Sequence, residues 1–189
     1  MEHGCTLCSI LLIGEVDASN NVSLTWNEYI GWSGGVADYT VEKIFPNNDV
    51  VAQNITGNTF DEQETSNQFQ TVMYRIIANP NDPGIPPAIS NIFTIIKPTN
   101  LYAPTAFTPD GDRLNDDFML GGNFIVSFEL KIFTRWGELI FSSDNLDTGW
   151  NGQLNGRDLP EGTYTYRAKV TDTAGREQDK FGTVLLIRN

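Results

Sequence analysis

The stretch Phe107-Thr-Pro-Asp-Gly-Asp-Arg-Leu-Asn-Asp-Asp-Phe118 sets five carboxylate or carboxamide side chains in a glycine-containing loop between two apolar anchors. Asn, Asp and Gly accept turn dihedrals, and Asn and Asp side chains bond the nearby backbone, so this segment joins strands. Downstream, Arg135-Trp-Gly137, Gly149-Trp-Asn-Gly152 and Leu159-Pro-Glu-Gly-Thr-Tyr164 each fall where two-residue alternation breaks into a turn. Between these breaks the pattern predicts strands. Leu101 to Phe107 forms one strand before the loop, and another surrounds Phe118. In Ser127–Arg135, residues Phe128, Leu130 and Ile132 point one way, with Glu129 and Lys131 opposite. Glu138–Phe141 returns as a hairpin across Trp136-Gly137. Tyr164, Tyr166, Ala168 and Val170 point inward, and Asp172–Arg176 turns the chain into a last strand, Phe181 to Ile187. Its Val184-Leu-Leu-Ile187 is apolar on both faces, as in a strand that is covered twice or presents its outer face to a partner.

The first half reads the same way. Ser9-Ile-Leu-Leu-Ile13 is strand-like, and Val22, Leu24 and Trp26 share one strand face. Tyr39–Ile44 and Thr71–Ile77 repeat the alternation. Asn79-Pro-Asn-Asp-Pro-Gly-Ile-Pro-Pro87 reads as a loop, because each proline removes a ladder donor, and a strand follows from Ile89 to Ile96. Lys97-Pro-Thr-Asn100 connects to the second half. The fold class is therefore all-β: two tandem Ig-like or fibronectin-like β-sandwiches, residues 1–97 and 98–189.

Length and charge narrow the function. At 189 residues the chain suits two small domains, and it has no run of about 18 apolar residues to cross a bilayer. Net charge is −12: three basic and eleven acidic residues precede Pro98, nine and thirteen follow. Nucleic-acid binding by phosphate neutralisation is excluded as a function class. Cys5 and Cys8 are the only cysteines, too few for a structural zinc site, and point to a bridge formed locally or to an upstream segment. Met1-Glu-His3 lacks the basic and apolar regions of a signal peptide, which for an exported chain predicts a C-terminal fragment; His3 is the only histidine. No serine or cysteine nucleophile has a histidine base beyond the N-terminal His3, so no catalytic residue and no enzyme is expected.

The four turn signals, taken in order, resemble the type B C-terminal sorting domain used by Bacteroidetes for type IX secretion, also described as the gliding-motility-associated C-terminal domain. Leu24-Thr-Trp26, the Tyr29–Tyr39 connection and Tyr74-Arg-Ile76 resemble a fibronectin type III module. The first resemblance implies export through periplasm and outer membrane to the cell surface. Its partners would be the type IX outer-membrane translocon and a PorP/SprF-type membrane barrel. It implies recognition residues Phe107, Pro109, Gly111, Arg135, Trp136, Gly137, Trp150, Gly152, Pro160, Gly162 and Tyr164, and Gly182, Val184, Leu186 and Arg188 of the last strand. Most of these shape the fold; Arg135 and the last strand are expected to touch the machinery. The other reading is an adhesin that binds glycan or protein through Trp32 and the loops; Trp32 is flanked by glycines and expected to be exposed. Trp136 and Trp150 are expected to pack over the sheet ends.

No organic cofactor is expected. Asp110, Asp112, Asn115, Asp116 and Asp117 have the oxygen spacing of a weak structural calcium loop, or of a turn closed by Asx hydrogen bonds. Related sorting domains carry Asn-Gly-Asp-Gly here. This chain has Arg113 at the last position, whose guanidinium could neutralise the loop in place of a metal.

Overall fold

The computed structural model describes residues 9–188. The expectations for His3, Cys5 and Cys8 lie outside the described residues. Among the described residues there is no helix, and the chain divides into two compact units between Lys97 and Pro98.

The first unit contains β1 (Leu12–Val16), β2 (Asn21–Trp26), β3 (Val36–Ile44), β4 (Val50–Ile55), β5 (Thr59–Gln63), β6 (Thr71–Pro80), β7 (Ala88–Ile89) and β8 (Phe93–Ile96). One sheet runs β1-β2-β5, the other β4-β3-β6, with β7 and β8 both on β6. Alternation makes the sandwich. Val22, Leu24 and Trp26 from one sheet and Tyr39, Val41, Val72, Tyr74 and Ile76 from the other form one buried cluster. Trp26 meets Tyr39 edge-on at 5.7 Å.

This core also holds charge. Glu64, buried, receives Lys97 at 3.2 Å and, on its other oxygen, Lys43, which also reaches Glu62 at 2.8 Å. Ser66 donates its N–H to the same carboxylate at 2.9 Å. Burial pushes the Glu64 pKa up, but the bonds and charges of Lys43 and Lys97 outweigh it and hold the carboxyl below its usual range.

The second unit contains β9 (Leu101–Tyr102), β10 (Ala106–Phe107), β11 (Gly121–Gly122), β12 (Ile125–Phe133), β13 (Leu139–Ser143), β14 (Gln153–Leu154), β15 (Arg157–Asp158), β16 (Gly162–Asp172) and β17 (Glu177–Leu186). Its main sheet runs β10-β17-β16-β12-β13, with β10 parallel to β17. The ladders β9-β11 and β14-β15 and a Phe118–Trp150 bridge complete the framework. Phe128, Leu130, Ile132, Tyr164, Tyr166, Ala168, Val170, Val184 and Leu186 face one core, as their alternation predicts.

Several expected boundaries move. The first strand starts at Leu12, and Ile10 before it is a core residue. Leu101–Phe107 splits into β9 and β10, which pair with different strands, around Pro104, a residue with no N–H to give a ladder. Ile89–Ile96 splits too: Asn91 leaves the ladder to bond the Leu12 N–H and C=O with its side chain. Asn79 and Pro80 belong to β6, since proline at a strand's last residue removes no central ladder bond. The last strand begins at Glu177, earlier than Phe181, because Glu177–Lys180 pair with β16 although they carry no apolar signal.

Candidate functional site

The tip between β12 and β13 is a tight turn. Thr134 N–H donates to Glu138 O at 2.9 Å and Gly137 N–H to Thr134 O at 3.0 Å. Gly137 has φ +84°, a region glycine enters without a Cβ clash. This geometry throws Trp136 outward. It is 85% exposed, with the Arg135 guanidinium 5.5 Å from its ring centre. Trp136 therefore departs from the packed position expected of it: the turn holds its backbone, and no core residue covers its ring.

Beside the tip lies a groove of about 550 Å³, lined by Thr134–Trp136 and by Leu159–Thr165. Pro160, Gly162 and Tyr164 from the fourth turn signal thus meet Arg135 and Trp136 from the second. The wall is held from behind. Tyr164 donates its hydroxyl to Pro160 O at 2.8 Å, four residues upstream, the arrangement of a tyrosine corner. Burial raises the Tyr164 phenol pKa, and Arg188 and Arg135 pull it partly back. Removing this bond in Tyr164→Phe is expected to cost the second unit about 1 kcal/mol in urea unfolding; an unchanged midpoint would show that the corner is not needed.

Arg188 clasps the same wall, donating to Leu159 O and Gly152 O, each at 3.0 Å, with Asp158 at 3.3 Å. Gly152, at φ +78°, has Leu186 and Arg188 at 3.1 and 3.2 Å from where a Cβ would stand, so a side chain there would loosen the clasp. Trp150 sits beneath as expected, 1% exposed, its indole N–H on Gln153 O at 2.9 Å. It packs on Phe107 at 5.3 Å and Tyr164 at 4.8 Å. Phe107, Val184 and Leu186 are core, and Gly182 lies opposite Tyr166 in register.

Sequence reasoning read Leu159, Glu161 and Thr163 only as parts of a turn signal and not as site residues, and it missed Thr165 and the outward Phe181. Register puts Leu185 across from Thr163 and Phe181 across from Arg167, on the outer sheet face. Phe181 is 67% exposed and Leu185 41%. The odd-numbered phase of Phe181 and Leu185, opposite to Val184 and Leu186, was the available signal.

The acidic loop lies elsewhere and closes on itself. Asp116 accepts the N–H groups of Gly111 at 2.7 Å and Arg113 at 2.8 Å, Asp110 that of Asp112 and Asp112 that of Leu114. The bond from Gly111 leads in lowering the Asp116 pKa. Asp110, Asp112 and Asp116 converge within 4.8 Å, a hard-oxygen set that suits calcium, whereas Asp117 is not among them. Asn115 gives its backbone O to Thr108 N–H, and Pro109 is half-buried at the loop's start.

Arg113 has φ +73°. Such a backbone costs a non-glycine residue roughly 1–2 kcal/mol, and the added freedom of glycine in the unfolded chain returns about half. Arg113→Gly is expected to stabilise the second unit by up to about 1 kcal/mol, read as a higher urea midpoint; a lower midpoint would mean that the guanidinium pairs with the loop.

Trp32 is the remaining correction. It is half-buried against the first core, 4.5 Å from Tyr29, rather than exposed.

The family comparison falls on this second unit. Residues 101–186 match the CHU_C Type IX secretion signal domain. This domain is a secretion signal, so the chain carries a sorting role that directs export to the cell surface or the medium and implies contact with the secretion machinery. No curated protein matches the chain. A two fibronectin type-III domain segment from chicken tenascin is similar at 10% identity and TM-score 0.50, over 92% of this chain and 97% of that one. That likeness is one of fold. A tetra-tandem repeat from the extending region of a large adhesion protein is similar at 14% identity and TM-score 0.46, over 95% of this chain and 49% of its own. Secretion-signal and fibronectin-like domains are non-catalytic kinds of domain.

Proposed function

We propose that the unit following Lys97 is gripped as a folded tag by the type IX outer-membrane translocon and handed to a PorP/SprF-type barrel that keeps its cargo at the cell surface. The contact face is the outer side of β16 and β17 together with the Arg135-Trp136 tip. One observation carries this: the Trp136 ring stands 85% exposed at the tip, while Phe181 and Leu185 are exposed on the outer face of β17. An apolar set of this kind on an otherwise salt-bridged sheet marks a docking surface. Around it, Arg167–Asp179 and Lys169–Glu177 pair across the strands, so the face is close to neutral on an acidic protein. The fold stays intact in this contact, because Phe107, Trp150, Gly152, Pro160, Gly162, Tyr164, Val184, Leu186 and Arg188 build or brace the wall behind the face.

The test is a reporter fused to the full chain behind a general export signal, in cells with and without the translocon. Surface display should require the translocon and fall sharply with Trp136→Ala and Phe181→Ser. Equal display in translocon-deficient cells would end the proposal. For the adhesin reading, which depends on Trp32 and the loops, the half-buried Trp32 ring on Tyr29 offers less surface than its sequence predicts.

A further inference from the structure

We infer that the groove beside Trp136 takes an extended peptide segment of a partner protein, with one apolar side chain seated against Trp136, Leu159, Pro160 and Tyr164 and the main chain held at the rim by Arg135 and Glu161. This deepens the sorting reading and rests on it. At about 550 Å³ the groove lies in the range of ligand pockets, roughly 300–1,000 Å³. Its apolar wall is rigid. The Tyr164–Pro160 bond and the Arg188 clasp on Leu159 fix it before anything binds, which lowers the ordering cost of association.

The rim decides the occupant. Arg135 and Glu161 both line the groove, yet neither makes an ion pair with the other or with any described residue. A purely acidic ligand would meet Glu161, and a purely basic one Arg135. A helix would bring main-chain groups already bonded within itself, so its backbone would offer neither rim charge a partner. An extended strand offers carbonyls and N–H groups sideways along its length, each in need of a partner. A guanidinium gives donors to the first and a carboxylate accepts from the second. Exposed Trp beside Arg, over a preformed slot, is also the composition of an interface hot spot.

The experiment selects random 12-residue peptides displayed on phage against the full chain, with counter-selection on Thr165→Phe, which fills the groove from its exposed wall. Selected peptides are expected to bind the unmodified chain and to lose at least about tenfold in affinity with Trp136→Ala and with Thr165→Phe. Arg135→Ala and Glu161→Ala should each cost about three- to tenfold, the range of one hydrogen bond. Unchanged thermal unfolding of each variant keeps these losses local. Failure to select any peptide, or binders indifferent to Thr165→Phe, would overturn the inference. The reporter assay separates the two levels. If display falls with Trp136→Ala while no peptide binds, the sorting face stands and the peptide occupant is refuted. If peptides bind through the groove while display ignores both variants, the peptide site stands and the sorting face is refuted.

Discussion

Glu64→Ala is expected to destabilise the first unit by about 3–5 kcal/mol, because it removes the balancing carboxylate from a lysine that is itself almost fully buried. Lys97 is 5% exposed and Glu64 2%. With the carboxylate gone, the Lys97 ammonium keeps the carbonyl of Ser66, while Lys43 still has Glu62. The loss is a large part of the roughly 5–15 kcal/mol available to a domain, and at a slope of about 1.5 kcal/mol per molar it lowers the first unit's urea midpoint by about 2–3 M. The second unit's transition should not move. Glu64→Leu combined with Lys97→Met removes both charges and is expected to recover much of the stability. A single mutant that costs under about 1 kcal/mol would mean that water reaches the pair.

The same network sets a pH range. The Glu64 carboxyl is held below its unfolded pKa of about 4.3, so its contribution is present above that pH and is lost as pH falls through the folded value. For Lys43, burial lowers the pKa but Glu62 and Glu64 raise it further, so its contribution is present below about 10.4 and is lost as pH rises through the higher folded value. Unit 1 should therefore be most stable between those limits, and Glu64→Ala should flatten the acid limb.

Strict alternation made much of the fold legible. Val22, Leu24, Trp26 and Tyr164, Tyr166, Ala168, Val170 are buried in the phase the sequence predicts, since one face of each strand must leave water. Strand β4 escaped because Val50, Val51, Ala52, Gln53 and Asn54 are exposed on both faces at a sheet edge, where no core imposes a period. Strand β5, Thr-Phe-Asp-Glu-Gln, escaped because its inner face carries an acid, Glu62, which meets Lys43 and Tyr74, beside a Phe60 that is only half-buried. The tryptophans mark the limit of local reading. Trp136 and Trp150 both stand beside glycine turns, and what separates them is distant in sequence: Phe118 bridges to Trp150 and Phe107 packs on it, whereas nothing returns over Trp136. The groove was not legible for a like reason, since it needs the Leu159–Thr165 segment brought beside a turn some 25 residues earlier.

That contrast gives the second large effect. Trp150→Ala should cost the second unit about 3–5 kcal/mol, the usual range for emptying a buried tryptophan site, and it also strands the Gln153 carbonyl. Phe107 and Tyr164 would lose their shared neighbour, the tyrosine corner would loosen, and surface display should collapse with the fold. Trp136→Ala should change stability by no more than about 0.5 kcal/mol, since an exposed ring gives up little burial. Display should nevertheless fall as far as in Trp150→Ala. Paired urea unfolding and reporter display of the two variants make the distinction: if Trp136→Ala is displayed normally while Trp150→Ala is not, the machinery responds to foldedness alone, and the hairpin tip has no part in recognition.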